Sequence, residues 1–176
     1  GEAWGAPPAI VREGAAAGRA AVDRIEAVEA ITAPVPETDE RECEVMVVGG
    51  GTGGAISAIA AARQGAETTL LEASPILGGI GTGGGIHFYY HGVRGGVQDE
   101  IDAETRRITD ALGGPERVHG FSPEAKKIAL LKAAVEAGVT VCFDTTVVDV
   151  VMDGNRLAGV TAAAPGRLTV HRATAT

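Results

Sequence analysis

The stretch "CEVMVVGGGTGGAISAIAAARQG" (43–65) decides how this chain folds. It opens with a short Val-rich apolar run, CEVMVV (43–48), as expected of a strand buried on both faces. Glycine then occupies positions 49, 50, 51, 53 and 54. From 53 onward Ala and Ile recur nearly all round, the pattern of a helix sandwiched against a sheet. Gly65 is placed to stop that helix. AETTLLE (66–72) reads as a second strand. Strand, glycine turn, helix and strand together form a parallel βαβ unit.

Gly49, Gly51 and Gly54 have the G-x-G-x-x-G spacing, and here it has its proper surroundings: a strand before, a helix after, and an acid about twenty residues on. Gly49 allows a sharp reversal at the strand end. Gly51 lets a pyrophosphate approach the backbone, and Gly54 lets the helix pack tightly on the strand. N–H groups at the helix start, around Thr52 to Ala55 and so including Gly53 and Gly54, can then bond phosphate oxygens, with the macrodipole adding about 0.3–1 kcal/mol. Glu72 closes the second strand. Its carboxylate suits the hydroxyls of an adenosine ribose and would repel a 2′-phosphate.

Working outward, GGVQDEIDAETRRITDALGG (95–114) predicts a helix with Val97, Ile101, Ile108 and Leu112 inward. SPEAKKIALLKAAVEAG (122–138) predicts another, with Ser122 as N-cap, Pro123 at the first helical position and an inner stripe of Ile128, Leu131 and Val135. VTVCF (139–143) reads as a third buried strand. TTVVDVVMD, NRLAGVTAA and RLTVHRATA, separated by Asp153–Gly154 and Pro165–Gly166, read as a three-stranded antiparallel meander. Upstream, residues 15–31 have helical spacing through Ala20, Ile25, Val28 and Ile31. TAPVPETDERE (32–42) reads as a linker. The expected organisation is an N-terminal extension with linker over 1–42 and an α/β, Rossmann-like domain with parallel sheet and meander over 43–176.

Composition limits the partners. The formal charge is −8 without a basic block, which disfavours nucleic acid and an anionic membrane surface. No apolar run reaches the ~18 residues of a membrane span. The two cysteines, Cys43 and Cys142, do not supply a four-ligand metal or iron–sulfur set. They read as small buried groups, in keeping with a reducing cytoplasm. No signal peptide is visible.

The wider pattern resembles a known family. The carrying pieces are VVGGGTGGAISAIAAARQGA (47–66), LLEASPILGGIGTGG (70–84), GVRGG (92–96) before a helix, and LLKAAVEAGVTVCFDTTVVDVVMDGNRLAGV (130–160). In this order they resemble the FAD-dependent oxidoreductases, two-dinucleotide-binding-domain flavoproteins that include the heterodisulfide-reductase-A-like group. The resemblance implies FAD as cofactor, with Gly78 and Gly79 lying along it. It implies that the meander sits next to FAD. It also implies that this sequence corresponds to the N-terminal part of a longer enzyme, completed by a C-terminal region or an oligomer partner. The segment GGGIHFYYHG (83–92) would then lie close to the flavin ring. There His87 or His91 could bond flavin or substrate or relay a proton, and Arg94 could balance a reduced flavin's charge. The alternative for these side chains is a loop whose histidines meet solvent and whose arginine makes a surface ion pair. His119 and His171 read as surface or packing residues. The same fingerprint also serves an NAD-dependent dehydrogenase or a thiazole-synthase-like enzyme, and a non-catalytic fragment is a third alternative. The substrate, a small molecule, is not readable from these residues.

Overall fold

The computed structural model describes residues 38–89, 95–114 and 120–176, together with Ala16. Of the helix expected over 15–31 only Ala16 is described, and it is helical; the rest lies outside, as do His91, Arg94 and His119. The chain divides into two units, Gly1–Val35 and Pro36–Thr176, and every strand and helix described belongs to the second. In order these are β1 (Thr38–Val48), α1 (Thr52–Arg63), β2 (Thr68–Leu71), a 3-10 turn (Gly79–Gly81), α2 (Gly96–Ala111), α3 (Pro123–Ala137), β3 (Thr140–Cys142), β4 (Thr146–Asp153), β5 (Arg156–Ala164) and β6 (Arg167–Ala175).

The strands form one mixed sheet in the order β3-β2-β1-β6-β5-β4. β1 pairs parallel with β2, and β2 with β3. β4, β5 and β6 make the antiparallel meander, turning at Gly154–Asn155 and Pro165–Gly166. The meander is continuous with the parallel part because β6 runs parallel to β1, from Thr38↔Leu168 to Val45↔Ala175. Residues 38–42, which read as linker, are therefore strand. Their charged side chains are tolerated because this half of β1 is mostly solvent-facing. Glu40 even forms an ion pair with Arg172 of β6 at 2.8 Å.

One side of the sheet carries the helices. Ala55, Ala58 and Ile59 of α1, Ile101 and Ile108 of α2, and Ala125, Ala129, Leu130, Ala133 and Ala134 of α3 meet Leu70, Leu77 and Val139 in a single apolar cluster. Met46, Leu71, Val160, Ala162 and Ala173 make a second cluster. Fully burying an aliphatic side chain of this size contributes about 1.5–3 kcal/mol. In α2, Thr105 and Thr109 are buried with their hydroxyls donating to the carbonyls of Ile101 and Thr105, both at 2.7 Å. Leu112, expected inward, sits at the C-cap of α2 and is 62% exposed.

Helix α3 begins and ends as expected. Ser122 accepts the Ala125 N–H, Pro123 opens the helix, and Gly138 closes it at φ +85°. Its packed face is the opposite of the expected one. Ile128, Leu131 and Val135 are exposed, while the alanine side faces α1 and α2. Small side chains let the helix axes approach closely, which branched residues on that side would prevent. Cys43 and Cys142 are free thiols and half-buried rather than core groups. Cys142 lies in an edge strand, and Cys43 in the half of β1 paired with β6.

Two outcomes test this packing. Ala134→Leu, at a position with no exposure, is expected to lower stability by about 1–3 kcal/mol through overpacking. Val135→Ser, at a position 64% exposed, should stay within about 0.5 kcal/mol. Denaturant midpoints of the two variants decide which face is inside.

The second outcome concerns His171, which is buried in β6. Burial, then Arg41 and Arg167, lower its pKa below the ordinary 6.5. The unfolded chain thus binds this proton more readily. The stability it contributes is intact above the unfolded value and is lost as pH falls through the folded one. The melting midpoint should drop between about pH 7.5 and about 5.5, and should drop less in His171→Leu.

Candidate cofactor site

The turn between β1 and α1 is built from close approaches. Gly49 adopts φ +92° and its N–H donates to Leu71 O at 2.8 Å. A Cβ at position 54 would overlap the carbonyl oxygen of Gly49. A Cβ at position 50 would lie 2.5 Å from Leu77 Cδ2. Gly51 is different. Its φ of −64° and ψ of −170° suit any residue, and a Cβ there would meet nothing within 4 Å. The same open space surrounds Gly53, although glycine inside a helix costs about 1 kcal/mol relative to alanine. Neither the backbone nor a neighbouring group of the described residues requires glycine at 51.

Beyond Gly51 lies the start of α1. Ala55 N–H donates to Gly51 O at 3.0 Å. The N–H groups of Thr52, Gly53 and Gly54 precede it and have no intrahelical acceptor. No side chain caps this end, and the first turn carries no acid. The positive end of the helix dipole is therefore open to an anion.

Glu72 stands beside the turn. Its Oε2 accepts the Gly50 N–H at 2.6 Å, and its Oε1 accepts the Ser74 N–H at 2.7 Å. Burial alone would raise its pKa. The bonds from Ser74 and from the Gly50 amide outweigh that and hold it below the ordinary 4.5, so it is ionised at neutral pH. A carboxylate has about four acceptor positions. Two are used here, and the side chain remains partly exposed.

The glycine-rich segment after β2 is tied to the same turn. Gly78 N–H donates to Gly50 O at 2.8 Å, and Thr52 Oγ1 donates to Gly78 O at 3.2 Å. Gly78 takes φ +99°, and a Cβ on Gly79 would sit 3.1 Å from Gly51 Cα. Thr82 is buried and donates its hydroxyl to Leu77 O at 2.6 Å. Thus Gly49, Gly51, Thr52, Gly53, Gly54, Glu72, Gly78 and Gly79 converge on one place. His87 lies further along this segment, half-buried, with Nδ1 3.1 Å from Gly85 O and its ring edge-on to Phe88.

The far end of the segment meets a cluster that sequence reading missed. Lys126 and Lys127 are consecutive in α3. Lys127 does pair with Glu124, but Lys126 is buried. Its Nζ lies 3.0 Å from Asp102 Oδ1, 4.5 Å from the Tyr89 ring centroid and 4.3 Å from that of Phe121. Burial pulls Lys126 down to about 8, and burial lifts the Asp102 carboxyl against the lowering effect of the Gln98 hydrogen bond. Only the unusual KK doublet close behind an N-cap hinted at this, because a cation in a first turn opposes the dipole.

Residues 44–176, about three-quarters of the chain, match the model of a family described as FAD dependent oxidoreductase. That match is to the broad family rather than to the heterodisulfide-reductase-A-like group. The fold is similar to that of a geranylgeranyl bacteriochlorophyll reductase-like protein from Thermoplasma acidophilum. The TM-score is 0.53 at 21% identity, covering 76% of this chain and 38% of that one. It is also similar to 3-ketosteroid-delta4-(5alpha)-dehydrogenase from Rhodococcus jostii RHA1, with TM-score 0.54, 19% identity, and 85% and 47% of the two chains covered. A flavin-dependent brominase gives 0.52 at 18%, with 75% and 36% covered. This chain spans less than half the length of each. Among the described residues, no helix is long and apolar enough to cross a membrane. With a mixed α/β sheet, an open glycine turn and a family match reaching from β1 through β6, the chain belongs to the FAD dependent oxidoreductase family.

Proposed function

We propose that residues 43–176 are the FAD-binding portion of a flavin-dependent oxidoreductase acting on a small-molecule substrate. The observation that carries this reading is Gly51, a glycine with ordinary backbone angles and open space where its side chain would be. Glycine there leaves room for something outside the protein. The uncapped N–H groups of Thr52, Gly53 and Gly54 lie next to that room and suit a pyrophosphate. Glu72, ionised and with acceptor positions to spare, would take the adenosine ribose hydroxyls and exclude a 2′-phosphate. Gly78 and Gly79 let the second segment pass over the cofactor. Ile80 and Ile86, exposed on that segment, offer an apolar surface for a flavin ring to cover.

When bound, the flavin supplies the electron or hydride transfer. This chain's part is to bind it, to hold its phosphates at the helix start and to keep Glu72 charged. In this reading His87 is the described candidate for a hydrogen bond near the ring, and His91 and Arg94 are the remaining candidates. The region that shapes the substrate pocket is supplied by further sequence or by a second subunit. The match covers only 38% and 47% of the reductase-like and dehydrogenase chains, which supports that assignment. Two half-buried free thiols support a reducing compartment, the cytoplasm.

Purified full-length protein should show a flavin absorption spectrum, and apoprotein titrated with FAD should release heat and gain thermal stability. A colourless protein stabilised by NAD and not by FAD would replace this reading with a nicotinamide one. A protein indifferent to both would leave a non-catalytic module.

A pair of glycine variants localises the site. Gly51→Val should keep the wild-type melting midpoint, since its Cβ meets no protein atom within 4 Å, yet lose FAD binding. Gly54→Val should lose stability itself, by about 1–3 kcal/mol or more, because its Cβ overlaps Gly49 O. Normal FAD binding by Gly51→Val would show that the phosphates lie elsewhere.

A further inference from the structure

Lys126 is buried in the first turns of α3, where the helix dipole disfavours a cation. An apolar residue of similar volume would fill such a place at lower cost. The charge is explained by what it touches. The ammonium lies over two adjoining aromatic rings, Tyr89 and Phe121, whose centroids are 5.2 Å apart, and against Asp102 of α2. Gln98 Nε2 completes the cluster by donating to Asp102 Oδ1 at 2.9 Å and to the Tyr89 hydroxyl oxygen at 2.8 Å. The Tyr89 hydroxyl in turn donates to Asp102 at 3.3 Å.

Two partners of this cage belong to the glycine-rich segment or grip it. Tyr89 is part of it. Phe121 donates its N–H to His87 O at 2.7 Å. Its ring edge also lies 3.4 Å from where a Cβ on Gly81 would be, a point itself 3.9 Å from Thr52 Oγ1. Residues 78–89 are thus fastened at both ends. The first end is bonded to the turn at Gly50 and Thr52, and the second is held by the cage on α2 and α3.

We propose that Lys126 is a positioning residue for cofactor retention: by gripping Tyr89 and Phe121 against Asp102, it fixes the far end of the segment that passes over the bound dinucleotide. This rests on the FAD reading above. Lys126 itself does not touch the cofactor. It acts through the backbone of residues 78–89, so its removal should speed cofactor release rather than block entry.

The test uses full-length holoprotein and follows FAD release by the rise of free flavin fluorescence after dilution. Lys126→Met and Tyr89→Leu should each release FAD about tenfold faster, the scale of a desolvated cation–π contact. Lys126→Arg, which keeps a cation able to stack on both rings, should recover most of the wild-type rate. Tyr89 is 43% exposed, so Tyr89→Leu should still fold even if Lys126→Met does not. The inference is overturned if the wild type holds FAD while Tyr89→Leu and every folded Lys126 variant release it at the wild-type rate. It is equally overturned if Lys126→Arg releases as fast as Lys126→Met, since the charge would then be irrelevant. A wild type that holds no FAD removes the FAD reading and this inference together.

Discussion

The carbonyl oxygen of Gly49 occupies the place where the Cβ of residue 54 would be. That single approach sets how near α1 can come to the end of β1. Everything at the site follows from it. Because the helix begins so close to the strand, its free N–H groups open on the carboxyl end of the parallel strands. The amide of Gly50 meanwhile reaches Glu72 at the end of β2. Gly50 O then receives Gly78, and the second glycine segment is drawn over the turn. Steric and polar constraints are nested here. A bulkier residue at 54 would move the helix, and the hydrogen bonds that align Glu72 and Gly78 would lose their geometry with it.

The electrostatics are local. A chain of formal charge −8 presents, at this one corner, a helix start with neither a capping side chain nor a first-turn acid. The nearby carboxylate of Glu72 is held ionised by Ser74 and by the Gly50 amide. An anion-attracting helix end and a hydroxyl-accepting carboxylate thus stand side by side, which suits a ligand with both chemistries in sequence. On the far side of the loop the polarity reverses. The buried ammonium of Lys126 is balanced by Asp102 and two ring faces.

Some of this was legible in the sequence because its causes are local. Gly49 at the strand end, the Ser122–Pro123 helix start, the Gly65 and Gly138 stops and the two hairpin turns each depend on the φ/ψ or capping chemistry of a few adjacent residues. Other features depend on partners far along the chain. The charged run 38–42 is strand only because β6, about 130 residues later, pairs with it. Helix α3 is apolar on nearly every side. Periodicity therefore could not choose between the branched face of Ile128, Leu131 and Val135 and the alanine face that α1 and α2 require. The burial of Lys126 depends on Tyr89, Asp102 and Phe121 meeting in space, and none of these is its sequence neighbour in the helix.

The length of β1 has a consequence for how the domain is made. Along residues 45–48 the strand pairs with β2, which follows within about twenty-five residues, but residues 38–45 pair with 168–175. During synthesis the βαβ unit can close early, while the outer portion of β1 emerges as an unsatisfied edge and stays so until β6 leaves the ribosome. Its solvent-facing Asp39, Glu40, Arg41 and Glu42 are the kind of side chains that keep such an edge from recruiting a stranger in the interval. The acidic and basic residues that disguised this strand thus serve as its guard against aggregation before the sheet is whole.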